Sequence, residues 1–202
     1  MASIVLATML AVVAKSASAQ DPGCDPLRIY DMIIPTAVDD ASQRGADEVV
    51  VIRYIPGDTS VDREFRITIV ASANGTITAT RIDPAQSSIH AQLRNAEERK
   101  PAAACEELLK DFRLERRHLH DQPVLRRLLR GLNRIKMPVR LPSEIYLDAP
   151  RYEIVEWAKM NQVSFSIYDG SDRTVRPLID WVKSVAAAFP TRTPADDVFA
   201  PR

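Results

Sequence analysis

Residue types that bind metal ions come closest together at His118-Leu-His120-Asp121. On an extended backbone the two imidazoles would share one face, and Asp121 could join them through a turn. On a helix the two rings would lie about 200° apart and could not chelate one ion. No third histidine or cysteine falls nearby, so a surface loop is the default interpretation and no metal site is predicted. A small envelope hydrolase or metal-dependent enzyme that uses these three residues is the alternative.

Other patterns of catalytic chemistry do not occur in the chain. There is no nucleophile elbow, no phosphate-binding loop and no Cys-x-x-Cys pair. The sequence therefore predicts no catalytic residue and no cofactor, and it favours a binding protein over an enzyme.

Basic residues are concentrated between Lys110 and Arg140. This segment has ten basic and three acidic side chains, although the whole chain has 27 of each sign. Arg126, Arg130 and Arg134 have the i, i+4, i+8 spacing of one helix face, and arginine suits forked contacts with carboxylate or phosphate. The default interpretation is a solvated face that pairs with acids elsewhere in the fold. The alternative is a surface for an anionic partner, which makes the three arginines candidate ligand-binding residues. We do not expect nucleic acid, because the chain has no overall positive charge. The acids considered are Glu144, Asp148, Glu153 and Asp180.

Three short runs rich in β-branched and aromatic residues predict consecutive antiparallel strands. The runs are Glu144–Asp148, Arg151–Trp157 and Val163–Tyr168. A two-residue loop would set Leu147 opposite Tyr152, and a four-residue loop would set Ile154 opposite Ile167. Both loops give one face the same six residues, which we predict to be core. These are Ile145, Leu147, Tyr152, Ile154, Phe165 and Ile167.

The opposite face of these strands has three aromatic side chains among serines and a glutamate, namely Tyr146, Trp157 and Tyr168. A solvated face does not need so much aromatic surface. Either a helix, a tail or a partner covers it, or a ligand stacks on it. The three aromatic residues are therefore candidate ligand-binding residues.

The region from about 48 to 82 predicts another three-stranded meander. Asn74-Gly75 is its strongest hairpin signal, because both residues tolerate positive φ. A strict two-residue turn would put Ile67 opposite Ile82. A bulge would instead bring Ile77 and Ala79 inward, and the sequence leaves the register open.

Helices are predicted between and after these strands. Their predicted starts are Ser87, Pro101, Pro123 and Pro177. The third should end at Pro138, where a proline cannot continue it. The run Leu114–Leu119 is left open between helical and extended structure.

The N-terminal residues have the pattern of a secretory signal peptide. Ile4 to Ala14 is an apolar run of about 11 residues, and Ala17-Ser18-Ala19 fits a cleavage site before Gln20. The run is too short to span a bilayer, and no transmembrane segment is expected in the mature chain. We therefore expect a secreted or periplasmic protein.

Two cysteines, Cys24 and Cys105, would remain after cleavage. An oxidising compartment favours a disulfide between them. The alternative is two unpaired thiols, with Cys105 buried on a helix.

These patterns predict an α+β fold with two antiparallel three-stranded meanders, at about 48–82 and 144–168. A helical segment separates the meanders, and a helix follows them. The predicted organisation is a signal peptide (1–19), an N-terminal extension (20–46), one α+β domain (47–189) and a disordered tail (190–202). The expected function is an exported, non-catalytic binding or interaction domain of unknown ligand. Its expected partner is an anionic envelope component or a protein.

Overall fold

The computed structural model describes residues 26–36, 45–57, 63–85, 87–100, 105–136, 149–158, 161–170, 173–189, 195–199 and 201. Within these residues an antiparallel sheet of seven strands organises the fold. The strands are β1 (Ala46–Ile55), β2 (Phe65–Ser72), β3 (Ile77–Pro84), β4 (Leu114–Leu119), β5 (Arg151–Ala158), β6 (Asn161–Tyr168) and β7 (Asp197–Phe199). Their order across the sheet is β6-β5-β1-β2-β3-β4-β7.

The predicted α+β class is confirmed, but the strands do not form two separate meanders. Strands β1, β2 and β3 make the expected first meander, and β5 then pairs directly with β1. The predicted pairing of Leu147 with Tyr152 is wrong. Tyr152 has Tyr54 on one side and Ile167 on the other, and a strand residue has only two lateral neighbours. Residues 144–148 lie outside the described residues. They include Tyr146 and two of the predicted core residues, Ile145 and Leu147.

The β5–β6 hairpin has the predicted faces but not the predicted register. Ile154 lies opposite Phe165 rather than Ile167, because the strands pair as far as Ala158 and Asn161 and leave a two-residue loop. A shift of two residues preserves side-chain parity. Tyr152, Ile154 and Ile167 are therefore buried as expected, and Phe165 packs against the same core.

The hairpin at Asn74-Gly75 is confirmed, and its register is the one with the extra residue. Ser72 N donates to Thr76 O at 2.9 Å, which leaves a three-residue loop that ends at Gly75 with φ of 81°. A loop with one residue more than the two-residue turn reverses which side chains of β3 face the core. Ile77 and Ala79 consequently point into the core, where they are 7% and 1% exposed.

Five helices cover the two faces of the sheet in the described part of the chain. They are α1 (Pro26–Ile33), α2 (Ile89–Arg99), α3 (Cys105–Leu109), α4 (Gln122–Leu132) and α5 (Arg176–Ala188). Helices α4 and α5 pack with Ile52 and Ile67 of the sheet in the larger core cluster. Helices α1 to α3 pack with Ile55 and Leu114 in a second cluster. Because Ile52 and Ile55 are three residues apart on β1, the two clusters lie on opposite faces of the sheet.

Two described elements lie outside the predicted domain of residues 47–189. Helix α1 lies within the predicted N-terminal extension, yet Ile29 and Ile33 belong to the second core cluster. Three residues of the predicted tail form β7 instead, because Val198 and Phe199 pair with the edge of β4. No helix in the described part of the chain is long and apolar enough to cross a membrane.

Helices α2, α4 and α5 lie where the sequence predicts helices, with adjusted ends. The predicted start of a helix at Pro101 lies outside the described residues. Helix α2 is capped by Ser88 rather than Ser87, because the Ser88 side chain accepts from Ala91 N at 3.1 Å. The run Leu114–Leu119 is extended and forms β4. Helix α4 ends at Leu132, six residues before Pro138.

Candidate functional site

Helix α4 presents a basic surface because its apolar side is fixed to the core. Asp121 caps its first turn by accepting a hydrogen bond from Val124 N at 3.1 Å. The amide of Gln122 bonds to both backbone groups of Ile77 on β3. Leu125 is completely buried, and the neighbouring turns of the helix follow it onto the sheet. The arginines of the helix consequently point away from the core.

We define the basic surface by its five exposed cations, Arg126, Arg127, Arg130, Arg134 and Lys136. Residues 122–136 contain no acidic side chain. The predicted i, i+8 stripe does not lie wholly on the helix, because Arg134 follows the last helical residue. Arg134 N still donates to Gly131 O at 3.1 Å, so a further turn continues the direction of α4.

The described acids do not neutralise the basic surface. Within the described residues none of its five cations makes an ion pair. Of the four acids considered as partners, Glu153 contacts Arg53 and Arg151, and Asp180 contacts Arg176. Glu144 and Asp148 lie outside the described residues. Pairing with Glu153 or Asp180 therefore does not account for the surface.

A cavity of about 630 Å³ opens on the α5 side of the sheet, at one end of the strands. We call it the aromatic cavity, because Tyr54, Phe65 and Tyr152 from three adjacent strands line it. The ring centroids of Tyr54 and Phe65 are 5.1 Å apart, and those of Tyr54 and Tyr152 are 5.0 Å apart. These separations are typical of favourable aromatic contacts. The three rings thus form a continuous apolar wall.

Four charged side chains line the same cavity in an alternating ladder. Arg81 is the direct cross-strand neighbour of Arg117, and Asp83 is that of Glu115. Arg81 Nε donates to Asp83 Oδ1 at 2.8 Å, and Arg117 Nη1 donates to Asp83 Oδ2 at 2.9 Å. The other end of the Arg117 guanidinium contacts Glu115. The like-charged Arg81 and Arg117 can lie side by side because Asp83 and Glu115 pair with them.

Arg81 has a fixed position in this ladder. Its Cζ lies 4.6 Å from the centre of the Phe65 ring, which is cation–π geometry. Its Nη1 donates to Ala186 O at 3.0 Å, near the carboxyl end of α5, where the helix dipole favours a cation. Arg117 is less completely satisfied, because its buried Nε has no hydrogen-bond partner in the described part of the chain.

The predicted extended arrangement of the two histidines is found at the end of β4. The rings of His118 and His120 lie on the same side, with their centroids 5.9 Å apart. His118 Nδ1 lies 3.1 Å from Thr80 Oγ1, and Asp121 is engaged as the cap of α4. Among the described residues, no group of three or more potential ligands could hold a metal ion. The hydrolase alternative therefore gains no support from this arrangement.

The aromatic sheet face is only partly exposed where the structure describes it. Trp157 is half-buried and packs against Val49, Val51 and Val155, which are all buried. Tyr168 is also half-buried. The structure does not bring these two residues into the aromatic cavity, and their role in binding stays a prediction.

Glu48 has an unusual environment on the face that also carries α4 and α5. Burial, reinforced by the negative charge of Glu156, raises the pKa of Glu48 above its ordinary value of 4.5. Its Oε1 is buried without a hydrogen-bond partner among the described residues. The charged form of Glu48 therefore destabilises the fold.

The predicted disulfide lies at the edge of the described residues. Cys105 begins α3 and is half-buried, and the described part of the chain contains no free cysteine. Cys24 lies outside the described residues. The pairing of Cys24 with Cys105 remains a prediction.

The sequence does not predict the aromatic cavity, although it contains a signal for the charged ladder. Arg81 and Asp83, like Glu115 and Arg117, are opposite charges two residues apart. On strands that spacing places both charges on one face. The ladder also needs β4 to be extended and paired with β3, which the sequence alone does not determine.

Comparison with known proteins adds no relative to this description. The chain matches no protein family model, no curated protein and no solved structure.

Proposed function

We propose that the protein is an exported, non-catalytic binding domain that uses the basic surface of α4 to bind an anionic component of the cell envelope. The observation that carries this proposal is a group of five exposed cations without an ion pair in the described part of the chain. The signal-peptide pattern of residues 1–19 supports export to a secreted or periplasmic location.

Structural roles explain only part of this charge. A cation in the last turn of a helix is stabilised by the helix dipole, which accounts for Arg130. Arg126 and Arg127 lie in the middle of α4, where the dipole has little effect. Their exposure also excludes a role in the core. Binding an anionic surface would use all five cations together.

The test replaces Arg126, Arg130 and Arg134 together with Gln. An arginine near an anionic membrane contributes about 1 kcal/mol, so the triple variant should bind anionic phospholipid vesicles roughly a hundredfold more weakly. Binding of the parent should also weaken as salt is raised. A soluble polyanion, tested in parallel, separates a general anion surface from one that needs a membrane.

A matched control replaces three exposed arginines on other elements, Arg94, Arg173 and Arg176, with Gln. Both triple variants should unfold close to the parent, because exposed charges contribute about 0–1 kcal/mol each. If the α4 variant and the control variant bind vesicles and polyanion equally well, the basic surface is not the binding site. If the parent binds neither at low ionic strength, the proposal fails.

A further inference from the structure

We propose that the aromatic cavity is a separate binding site for a small aromatic carboxylate. Its volume of about 630 Å³ lies within the range of small-molecule sites, roughly 300–1,000 Å³. Such sites combine apolar walls with a few fixed polar groups. The aromatic cavity has both, and it is lined by none of the residues of the basic surface.

The apolar part of the cavity suits a flat ring. Tyr54, Phe65 and Tyr152 supply contiguous rings along three adjacent strands, and α5 adds Val182 and Ala186. Neighbouring secondary structure holds every one of these residues, so the wall exists before a ligand arrives. A pre-formed wall avoids the entropy cost of ordering side chains on binding.

The charged part of the cavity favours an anion over a cation. The lining includes four basic side chains and two acidic ones. Both acids are engaged by the arginines of the ladder, with Asp83 held by Arg81 and Arg117. A ligand ammonium group would therefore find no acid in the lining free to receive it.

Two of the basic groups in the lining remain able to receive a carboxylate. Arg63 is exposed and makes no ion pair within the described residues. Lys183 also lines the cavity; it pairs with Asp169 at 2.7 Å, and its side chain is 48% exposed. These groups place the carboxylate beside the ladder and the ring against the aromatic wall.

Calorimetric titration with 2-naphthoate and with its uncharged analogue 2-naphthamide tests the proposal on the full chain. Naphthoate should bind with one-to-one stoichiometry and at least about tenfold more tightly than naphthamide, because only naphthoate has a negative charge that pairs with the cations of the lining. Arg63→Gln should weaken naphthoate binding about threefold or more and leave naphthamide binding unchanged. Ala186→Trp, which places a large side chain at the cavity wall, should abolish binding of both.

Two controls keep the outcome decisive. Arg63 is exposed, so Arg63→Gln should keep the unfolding midpoint of the parent and remains informative if Ala186→Trp does not fold. The α4 variant with Arg126, Arg130 and Arg134 replaced should bind naphthoate with parental affinity, whether or not the proposed function is correct. Absence of saturable naphthoate binding up to millimolar concentration would overturn the proposal. So would equal affinity for the amide, an unaffected Arg63→Gln variant, or loss of naphthoate binding in the α4 variant.

Discussion

Replacing Gly131 tests the contact that sets α4 against α5, and hence the positions of the basic surface and of the aromatic cavity. A Cβ atom at residue 131 would lie 3.3 Å from Trp181 Cδ1 and 3.6 Å from Trp181 Nε1. Carbon atoms pack best at about 3.5–4.0 Å, so the indole ring would have to move slightly. Its movement is limited because Trp181 Nε1 donates to Leu128 O at 2.8 Å.

The two effects of Gly131→Ala should nearly cancel. Alanine gains about 1 kcal/mol in helix propensity, and the crowding costs a similar amount. We expect the free energy of unfolding to change by less than about 1 kcal/mol. Gly131→Val adds two further carbon atoms against the ring and should destabilise the protein by about 2 kcal/mol. Urea unfolding followed by tryptophan fluorescence measures both values.

Arg127 provides the matched control on the same helix, because its side chain is exposed. The step from Arg127→Ala to Arg127→Val reports helix propensity alone, about 0.5 kcal/mol. The same step at Gly131 should cost clearly more. If the two steps cost the same, Trp181 does not pack against Gly131 and the described contact between α4 and α5 is incorrect.

Two further predictions concern single sites. Because the pKa of Glu48 is raised in the folded state, the parent should lose stability as pH rises through that raised value. Glu48→Gln should therefore be more stable than the parent at pH 7, and the gain should vanish below about pH 4.5. Equal stability of the two proteins at pH 7 would contradict this. Intact-mass measurement of the exported protein should show a chain that starts at Gln20 and has a Cys24–Cys105 bond. Retention of residues 1–19 would refute export, whereas two free thiols would refute only the bond.

Faces were predicted from the sequence more successfully than registers, because the two depend on different information. The side chain of Ile154 reaches the core whether it lies opposite Phe165 or Ile167, since both pairings have the same parity. The exact pair depends on loop length, which is two residues rather than the expected four. At Asn74-Gly75 the sequence leaves open a difference of one residue in the loop, and such a difference changes the face as well.

The arrangement of the sheet and the aromatic cavity depended on contacts between distant residues. Nothing local in β1 or β5 indicates that Tyr54 will lie beside Tyr152. The ladder similarly joins residues 34 positions apart, such as Asp83 and Arg117. The basic surface was easier to predict, because its residues follow one another along α4 and their burial follows from the leucines between them.

Two groups of arginines among the described residues differ in their partners, and that difference explains how a chain with equal numbers of positive and negative side chains presents a basic surface. Arg53, Arg81 and Arg117 have side chains only 6%, 17% and 18% exposed, and each is held by a carboxylate. The carboxylates that hold them, among them Asp83 between Arg81 and Arg117, are thereby unavailable to other cations. A buried pair is weak evidence for stability, but its effect on the surface field is definite. The acids of Asp83 and Glu153 are consumed in this way, so they are not available to the cations of α4. The net charge of the whole chain is therefore a poor guide to its binding surfaces, and the ion pairs of the individual arginines are a better one.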